Sequence, residues 1–252
     1  MDVKGSVGLV TGANRGIGKA CVEALLMAGS ARVYAAARNE LSLAPLVEAD
    51  PDRIVPVTLD ITNPEQIKSA AERCFDVNLL VNNAGVSNWL KGYMISSETT
   101  EIARLEMETN YFGTLEMCRA FAPVLKANGG GAIANILSAG ALVSVPPLAS
   151  YSASKAAAAS MTQGVRAELK DQGTLVMAFF VGSVDTRMAT DVGAVKVQPS
   201  HIGEALIDAV LNETEDIYTD PMAKELRANL DKDPKRVERQ MYKLMKMLQV
   251  KA

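Results

Sequence analysis

Tyr151 and Lys155 are the residues whose types and spacing could carry out chemistry. Residues four apart share one face of a helix, and the following run, residues 156–166, is rich in good helix formers. A free tyrosine ionises near pH ~10, but a neighbouring cation stabilises the phenolate and lowers that pKa. A tyrosine tuned in this way could exchange a proton with a substrate oxygen. The alternative is an exposed pair that merely shares a helical spacing.

A glycine-rich turn lies near the start of the chain, between a predicted strand at residues 6–11 and a predicted helix that reaches about residue 28. In the first strand–turn–helix unit of a doubly wound sheet, this turn faces the crevice that binds a dinucleotide. Gly12, Gly16 and Gly18 would let the backbone approach a pyrophosphate at the helix N-terminus. The spacing differs from G-x-G-x-x-G, so a tight turn without a ligand is the alternative.

The end of the second predicted strand indicates which dinucleotide would bind. An acidic residue there would accept hydrogen bonds from the ribose hydroxyls of NAD, but Arg38 follows Ala37 instead. Arg15, inside the glycine turn, could reach the same place. Two cations without a carboxylate favour a 2′-phosphate and therefore NADP(H). The alternative is that Arg38 is a solvated residue at a helix start.

Strands and helices alternate along the chain, and this order predicts parallel strands joined by right-handed crossovers. Continuous apolar runs, as expected of strands covered on both faces, occupy residues 6–11, 32–37, 54–59, 78–81, 132–137, 175–181 and 217–219. We therefore predict an α/β fold. It would be a single doubly wound Rossmann-type domain over residues 1–252, with a mostly parallel seven-stranded sheet and helices on both faces.

Three local signals place helix boundaries. Gly29 is expected to end the first helix, and Asn63 followed by Pro64 is expected to start another. A long helix is predicted over residues 97–126, with a split near Pro123. The chain is expected to finish in a helical extension over about residues 221–250.

An apolar stripe runs along the last predicted helix, residues 233–248. The residues that share this face are Val237, Met241, Leu244, Met245 and Leu248. Such a stripe usually packs on the body of the same chain, and a contact between subunits is the alternative.

The composition excludes several classes of partner. A net charge of −3 without a large basic or acidic block argues against nucleic acid and anionic membranes. The three cysteines, Cys21, Cys74 and Cys118, fit neither a disulfide framework nor a metal site, so we expect buried free thiols and no metal. No apolar signal segment precedes the first strand, and a cytoplasmic location is expected. One histidine, His201, and no G-x-S-x-G elbow argue against a hydrolase.

These segments together resemble the short-chain dehydrogenase/reductase family, in its compact NADP(H)-preferring branch, from about residue 4 to about residue 220. The motifs that carry the resemblance, in chain order, are Thr11-Gly12-x-x-x-Gly16-x-Gly18, Asp60, Asn82-Asn83-Ala84-Gly85, Asn110, Ser138 and Tyr151-x-x-x-Lys155. Each motif is weak alone, but their order and spacing match the family.

The resemblance implies a role for four catalytic residues. Ser138 would polarise the substrate carbonyl, and Tyr151 would donate the proton in reduction. Lys155 would lower the Tyr151 pKa and bind the nicotinamide ribose, and Asn110 would hold a water in a relay through Lys155. Asn110 could also satisfy a break in the helix backbone, and Ser138 could cap the end of a strand.

The resemblance also implies a set of cofactor contacts. Asp60 and Ile61 would contact the adenine, although Asp60 could be only a turn residue. Val184 and Thr186 would hold the carboxamide. The full predicted set is Gly12, Asn14, Arg15, Gly16, Ile17, Gly18, Arg38, Asp60, Ile61, Asn83, Ala84, Gly85, Tyr151, Lys155, Gly182, Val184 and Thr186. One departure is Val181, where the family usually has proline, and this puts the rigidity of the loop in doubt.

The expected activity is that of an NADPH-dependent carbonyl reductase, reversible as an alcohol dehydrogenase, acting on a hydrophobic ketone or aldehyde. The expected pocket walls are largely apolar and comprise Asn88, Trp89, Leu90, Ala139, Gly140, Val143, Val145, Pro146, Met188 and Val192. Residues 183–198 could act as a lid. The alternatives are a non-catalytic NADP-binding regulator and a reductase of an acyl-carrier thioester. A homo-oligomer, tetramer or dimer, is expected through the long helix and the Tyr/Lys helix.

Overall fold

A seven-stranded parallel sheet forms the centre of the computed structural model, which describes residues 1–88, 91, 93–189 and 196–249. The strands are β1 (Val7–Thr11), β2 (Arg32–Ala37), β3 (Ile54–Thr58), β4 (Leu79–Asn82), β5 (Ala132–Ile136), β6 (Leu175–Phe180) and β7 (Asp216–Tyr218). Their order in the sheet is β3-β2-β1-β4-β5-β6-β7, and every neighbouring pair is parallel. The chain reverses its direction of strand addition between β1 and β4, and this point is where doubly wound sheets open a crevice.

Helices cover both faces of this sheet, so the predicted doubly wound α/β architecture is confirmed. In the described residues they are α1 (Gly16–Met27), α2 (Ala44–Ala49), α3 (Pro64–Arg73), α4 (Glu101–Met107), α5 (Thr114–Ala127), α6 (Ala149–Leu169), α7 (Pro199–Leu211), α8 (Pro221–Lys232) and α9 (Pro234–Gln249). One buried cluster joins α1, α2 and α7 to the sheet, and a second joins α3, α5 and α6 to its other face.

The alternation of side chains along the strands explains why both faces must be covered. Leu9 of β1 belongs to one buried cluster and its neighbour Val10 to the other, and neither has measurable exposure. All five residues of β5 are buried. A strand that buries both faces reads as a continuous apolar run, which is the pattern that predicted the sheet.

The predicted helix signals at Gly29 and Asn63 are confirmed. Gly29 follows α1 with a φ of +90°, and its N–H donates to the Leu26 carbonyl over 3.1 Å. The Asn63 side chain accepts hydrogen bonds from the N–H groups of Glu65 and Gln66, at 3.1 and 3.2 Å, and Pro64 is the first residue of α3.

The prediction of a split near Pro123 is wrong. Pro123 lies inside α5. Because proline has no N–H, the carbonyl of Arg119, four residues earlier, has no helical hydrogen-bond donor. Both residues are exposed, so this carbonyl can bind water instead. The irregularity lies earlier, because α4 and α5 are joined by a π-helical turn, Glu108–Gly113, that contains Asn110.

The two C-terminal helices fold back onto the edge of the cleft. α8 and α9 pack against each other, and α9 also contacts the short turn Pro146–Leu148 that precedes α6. Val237 on the apolar stripe of α9 is only 2% exposed. The stripe therefore packs on its own chain, as predicted, while Leu248 lies among residues whose side chains are not described.

Candidate active site

A large cleft opens at the carboxyl ends of the strands, with a volume of about 2060 Å³. It extends from Arg38 at the end of β2 to Met241 and Leu244 of α9. Its volume exceeds the ~300–1,000 Å³ that a drug-sized ligand occupies, so a dinucleotide and a substrate can fit together. Most residues predicted for the site line this cleft; Gly18 and Asn110 lie behind its wall.

The glycine turn adopts a backbone that needs glycine. Gly12 and Gly16 have φ angles of +65° and +53°. A Cβ atom at Gly18 would lie 2.2 Å from the Gly12 carbonyl oxygen and 2.5 Å from Nδ2 of Asn83. Asn83 Nδ2 in turn donates to the carbonyls of Thr11 and Gly12, at 2.9 and 3.2 Å. Gly18 therefore supports the turn from behind, and Asn83 holds its shape.

The start of α1 is prepared for an anion. The residue before it, Arg15, makes no side-chain cap in the described structure, so the first N–H groups of α1 have no side-chain acceptor there. Arg15, Gly16 and Ile17 line the cleft, as does Asn14. Such a helix N-terminus fits the pyrophosphate of a dinucleotide.

Arg15 and Arg38 both line the same end of the cleft and are exposed. Neither guanidinium forms an ion pair with any residue that the structure describes. Ala37, the last residue of β2, is neutral, and Asn39 uses its side-chain oxygen on the N–H of Leu41. The charges at this position therefore fit a phosphate better than a pair of ribose hydroxyls.

Asp60 lines the cleft and is also a turn residue, so its position is compatible both with an adenine contact and with a structural role in the turn. Its Oδ1 accepts from the N–H and the hydroxyl of Thr62, at 3.0 and 2.7 Å. The next residue, Ile61, is 5% exposed and lines the cleft beside Ala84 and Gly85. These residues would enclose an adenosine group.

Ser138, Tyr151 and Lys155 come together at the other end of the cleft. Ser138 follows β5, and its Oγ also accepts from the Gly140 N–H at 3.0 Å, which is the cap that the alternative predicted. Tyr151 lies in the first turn of α6, and Lys155 one turn later. The Lys155 Nζ is 5.9 Å from the centre of the Tyr151 ring.

In the protein alone, the Tyr151 pKa moves in the opposite direction to the one expected. Burial raises the pKa of Tyr151 to about 12; a hydrogen bond with Ser138 opposes the rise, and the charge of Glu106 adds to it. Burial also lowers the pKa of Lys155 to about 8. The Lys155 ammonium donates to the Ile136 carbonyl at 2.9 Å. Desolvation is the largest cause of the Tyr151 shift.

Asn110 is fully buried in the π-helical turn, and its side chain bonds the loop that follows β4. Its Oδ1 accepts from the Val86 N–H, and its Nδ2 donates to the Val86 carbonyl and to the Ser154 hydroxyl, each at 2.9 Å. A Cβ atom at Gly85 would lie 2.9 Å from Asn110 Oδ1 and 3.5 Å from Lys155 Nζ. The amide side chain therefore positions the loop after β4 against α6, and it is not on the cleft surface.

The loop after β6 is tied down although Val181 replaces proline. The Gly182 N–H donates to Asp220 at 2.6 Å, and a Cβ atom at Gly182 would collide with that carboxylate at 2.2 Å. Val184 pairs with Val197, at the far end of the loop. The Ser183 hydroxyl is buried on the cleft without a partner in the described residues, as expected where a polar group of a cofactor would bind.

Most of the expected pocket walls line the cleft, with one error. Asn88, Ala139, Gly140, Val143, Val145 and Met188 do so, whereas Leu148 lines the cleft in place of Pro146. Trp89, Leu90, Val192 and the middle of the expected lid lie outside the described residues.

Sequence reasoning missed one apolar wall of the cleft. Its residues are Leu105, Met222, Leu226, Met241 and Leu244. The apolar stripe on α9 indicated a buried helix face, but the pattern alone does not show which surface that face contacts.

The described residues give no comparable support to a histidine-dependent hydrolase or to a metal site. His201 lies in α7 with its Nε2 2.8 Å from the Thr219 carbonyl, and it is not among the residues that line the cleft. Among the described residues, no cluster of three or more His, Cys, Asp or Glu side chains could hold a metal ion. The cysteines are free and buried, as predicted. No helix in the described part of the chain is long and apolar enough to cross a membrane.

Comparison with known proteins gives consistent matches. Residues 6–196 match the short chain dehydrogenase family. An uncharacterized oxidoreductase of Staphylococcus saprophyticus is 33% identical over 225 residues, which are 83% of this chain and 93% of that protein. A short chain dehydrogenase of Monascus purpureus is 32% identical over 196 residues, 73% of this chain; the match spans 66% of that protein, just under two thirds of its length.

Among solved structures, a short chain dehydrogenase from Burkholderia cenocepacia J2315 in complex with NADP superposes with a TM-score of 0.90. It is 42% identical to this chain, and the alignment covers 96% of this chain and 99% of the other. The similarity therefore includes the two C-terminal helices as well as the sheet.

Proposed function

Because the chain belongs to the short chain dehydrogenase family, we propose that it is an NADP(H)-dependent oxidoreductase that interconverts a carbonyl compound and its alcohol. The observation that carries the proposal is the convergence of Ser138, Tyr151 and Lys155 in the same cleft as the glycine turn. A proton donor and a dinucleotide site at opposite ends of one cleft are the parts that carbonyl reduction needs.

NADP(H) is the cofactor in this proposal. The turn around Gly12 and Gly16 would hold the pyrophosphate, and Arg15 and Arg38 would hold the 2′-phosphate. The loop from Gly182 to Thr186 would hold the carboxamide end. When bound, the cofactor supplies the hydride and accepts it in the reverse direction. The NADP in the Burkholderia structure supports this assignment.

Tyr151 is the proton donor of the reduction. The phenol is protonated at neutral pH, which is the state that a donor requires, but a pKa of about 12 makes it a weak acid, so proton transfer depends on neighbouring groups that stabilise the developing negative charge. Ser138 lies beside it and would hold the carbonyl oxygen at the same place. Lys155, one turn further along α6, contributes a positive charge that stabilises the substrate oxygen as it becomes negative.

The substrate is a hydrophobic ketone or aldehyde. The cleft wall beyond Tyr151 is formed by apolar side chains from five segments of the chain, represented by Leu105, Val143, Met188, Met222 and Met241. Apolar walls with a few polar groups at the reacting atom are typical of sites for small hydrophobic ligands. The same wall gives no specific support to the acyl-carrier thioester alternative.

Turnover can be tested by oxidation of NADPH in the presence of a panel of aromatic and aliphatic ketones and aldehydes. We expect reduction of apolar carbonyls with NADPH and little with NADH. NADPH binding without turnover on any carbonyl would instead support the non-catalytic regulator.

The assembly and location follow the family pattern in this proposal: a cytoplasmic homo-oligomer, dimer or tetramer. Phe112, in the turn just after α4, is 46% exposed, and a partner subunit would cover it. Light scattering of the purified protein gives the oligomeric state, and a monomer at micromolar concentration would contradict this part of the proposal.

A further inference from the structure

Glu106 of α4 is a fully buried carboxylate next to the proposed reaction centre. It forms no ion pair with a described residue, and its oxygens accept three hydrogen bonds. Oε1 accepts from the Asn88 N–H at 2.8 Å and from Asn88 Nδ2 at 3.3 Å. Oε2 accepts from the Ser150 hydroxyl at 2.5 Å. A buried charge without a cation is costly, so this arrangement needs a reason.

The partners of Glu106 belong to two different elements at the reaction end of the cleft. Ser150 immediately precedes Tyr151 in the first turn of α6. Asn88 lines the cleft at the end of the loop that follows β4. One carboxylate therefore ties the first turn of α6, which carries the proton donor, to the loop that follows β4.

The start of α6 also benefits from this charge. The described helix α6 has no side-chain cap at its N-terminus and no acidic residue in its first turn. A helix N-terminus carries a partial positive charge, and an anion there is stabilising. Glu106 supplies that anion from another helix, through the Ser150 hydroxyl.

We propose that Glu106 is a positioning residue of the active site, which holds Tyr151 through Ser150 and the loop after β4 through Asn88 and keeps a negative charge beside the phenol. The proposal rests on the proposed function for its catalytic consequence. Its structural and electrostatic part concerns the protein alone.

The charge has a defined effect on the phenol. Glu106 on α4 raises the Tyr151 pKa. Lys155 on α6 is the opposing cation, and Ser138 after β5 is a neutral partner; Arg187 and Glu225 line the same cleft from the loop after β6 and from α8. Loss of the Glu106 charge removes one of the causes that raise the Tyr151 pKa.

The first test compares three variants in NADPH-dependent reduction of phenanthrenequinone, an apolar diketone. Glu106→Gln keeps the shape and removes the charge, and we expect kcat to fall about tenfold with KM for NADPH unchanged. The ionisation of Tyr151, which the second test follows, should move to lower pH by about one unit. Ser150→Ala keeps the charge but loses the contact, so kcat should fall without that downward shift.

Glu108→Gln is the matched control, because Glu108 follows two residues later and is exposed. It removes the same charge and should leave kcat and the Tyr151 ionisation unchanged. Wild-type kcat and Tyr151 ionisation in Glu106→Gln would overturn the proposal. If Glu106→Gln does not fold, wild-type kcat in Ser150→Ala overturns it.

The second test needs no substrate. Difluorotyrosine is incorporated, the Tyr151 fluorine resonance is assigned by its loss in Tyr151→Phe, and its ionisation is followed by NMR. We expect a lower midpoint in Glu106→Gln than in wild type or Glu108→Gln; equal midpoints would overturn the electrostatic part. A shifted midpoint in a protein that reduces no carbonyl would support the inference and reject the proposed function.

Discussion

The two ends of the cleft are built in different ways. The nucleotide end is shaped by backbone: the positive φ angles of Gly12 and Gly16 and the absence of a Cβ at Gly18 define it. The reaction end is built from side chains that arrive from separate elements, with Tyr151 from α6, Glu106 from α4 and a carbonyl at the end of β5.

The two ends therefore differ in the kind of substitution that would damage them. At the nucleotide end an added methyl group is harmful, because the space is filled by backbone that cannot move aside. At the reaction end, shape is less important than the charge and protonation of a few buried groups.

The largest expected effect is at the reaction end. Tyr151→Phe removes the phenolic proton and little else, so kcat should fall by about three orders of magnitude or more. The dissociation constant for NADPH, measured by fluorescence titration, should stay within about twofold because the glycine turn is untouched. Near-normal turnover would remove Tyr151 from the mechanism.

Gly18→Ala tests the nucleotide end. The new Cβ would lie 2.2 Å from the Gly12 carbonyl oxygen, so the turn must distort, and we expect a loss of NADPH affinity of at least about tenfold with a lower melting temperature. Gly164→Ala in α6 is the control, since a Cβ there meets no atom within 4 Å. That variant should be neutral or slightly stabilising. Equal behaviour of the two variants would contradict a backbone-built end.

Ala37→Asp changes charge at the nucleotide end. A carboxylate at the end of β2 would repel a 2′-phosphate and accept hydrogen bonds from ribose hydroxyls. KM for NADPH should rise about tenfold or more while NADH becomes usable. Unchanged cofactor preference would show that Arg15 and Arg38 do not contact a phosphate.

The pH dependence tests the charge of Lys155. Its pKa is lowered to about 8, so it carries a proton below that pH and loses it above. Because the ammonium stabilises the developing oxyanion, kcat/KM for reduction should decline above about pH 8, approaching tenfold per pH unit. NADPH affinity is measured in parallel to exclude a general loss of binding. A flat profile from pH 7 to 9 would separate Lys155 from the rate.

The smallest expected effect concerns the apolar wall. Met241→Ala and Leu244→Ala remove contacts that only a large substrate would make, so KM for bulky apolar ketones should rise about threefold and that for small ketones should not. Tyr242→Ala on the same helix is the control, because Tyr242 is 57% exposed and does not line the cleft. Equal effects on small and bulky ketones would mean that α9 only supports the fold.

Much of the nucleotide end could be predicted from the sequence, because its requirements are local. A turn with three glycines between a buried strand and a helix places its ligand site by short-range geometry. Arg38 is likewise next to β2 in the chain. The reaction end was predicted only in part: Ser138, Tyr151 and Lys155 were found by their spacing, whereas the direction of the Tyr151 pKa shift was not.

The sequence by itself determined the order of strands and helices, the glycine turn and the Tyr/Lys helix, since these depend on residues at most a few turns apart. Tertiary structure decided that Glu106 meets Ser150, 44 residues away, and that the α9 stripe faces the cleft. The physical reason is that burial and charge depend on which elements pack together. A pattern along one helix shows that a face is apolar or acidic, but not what it will contact.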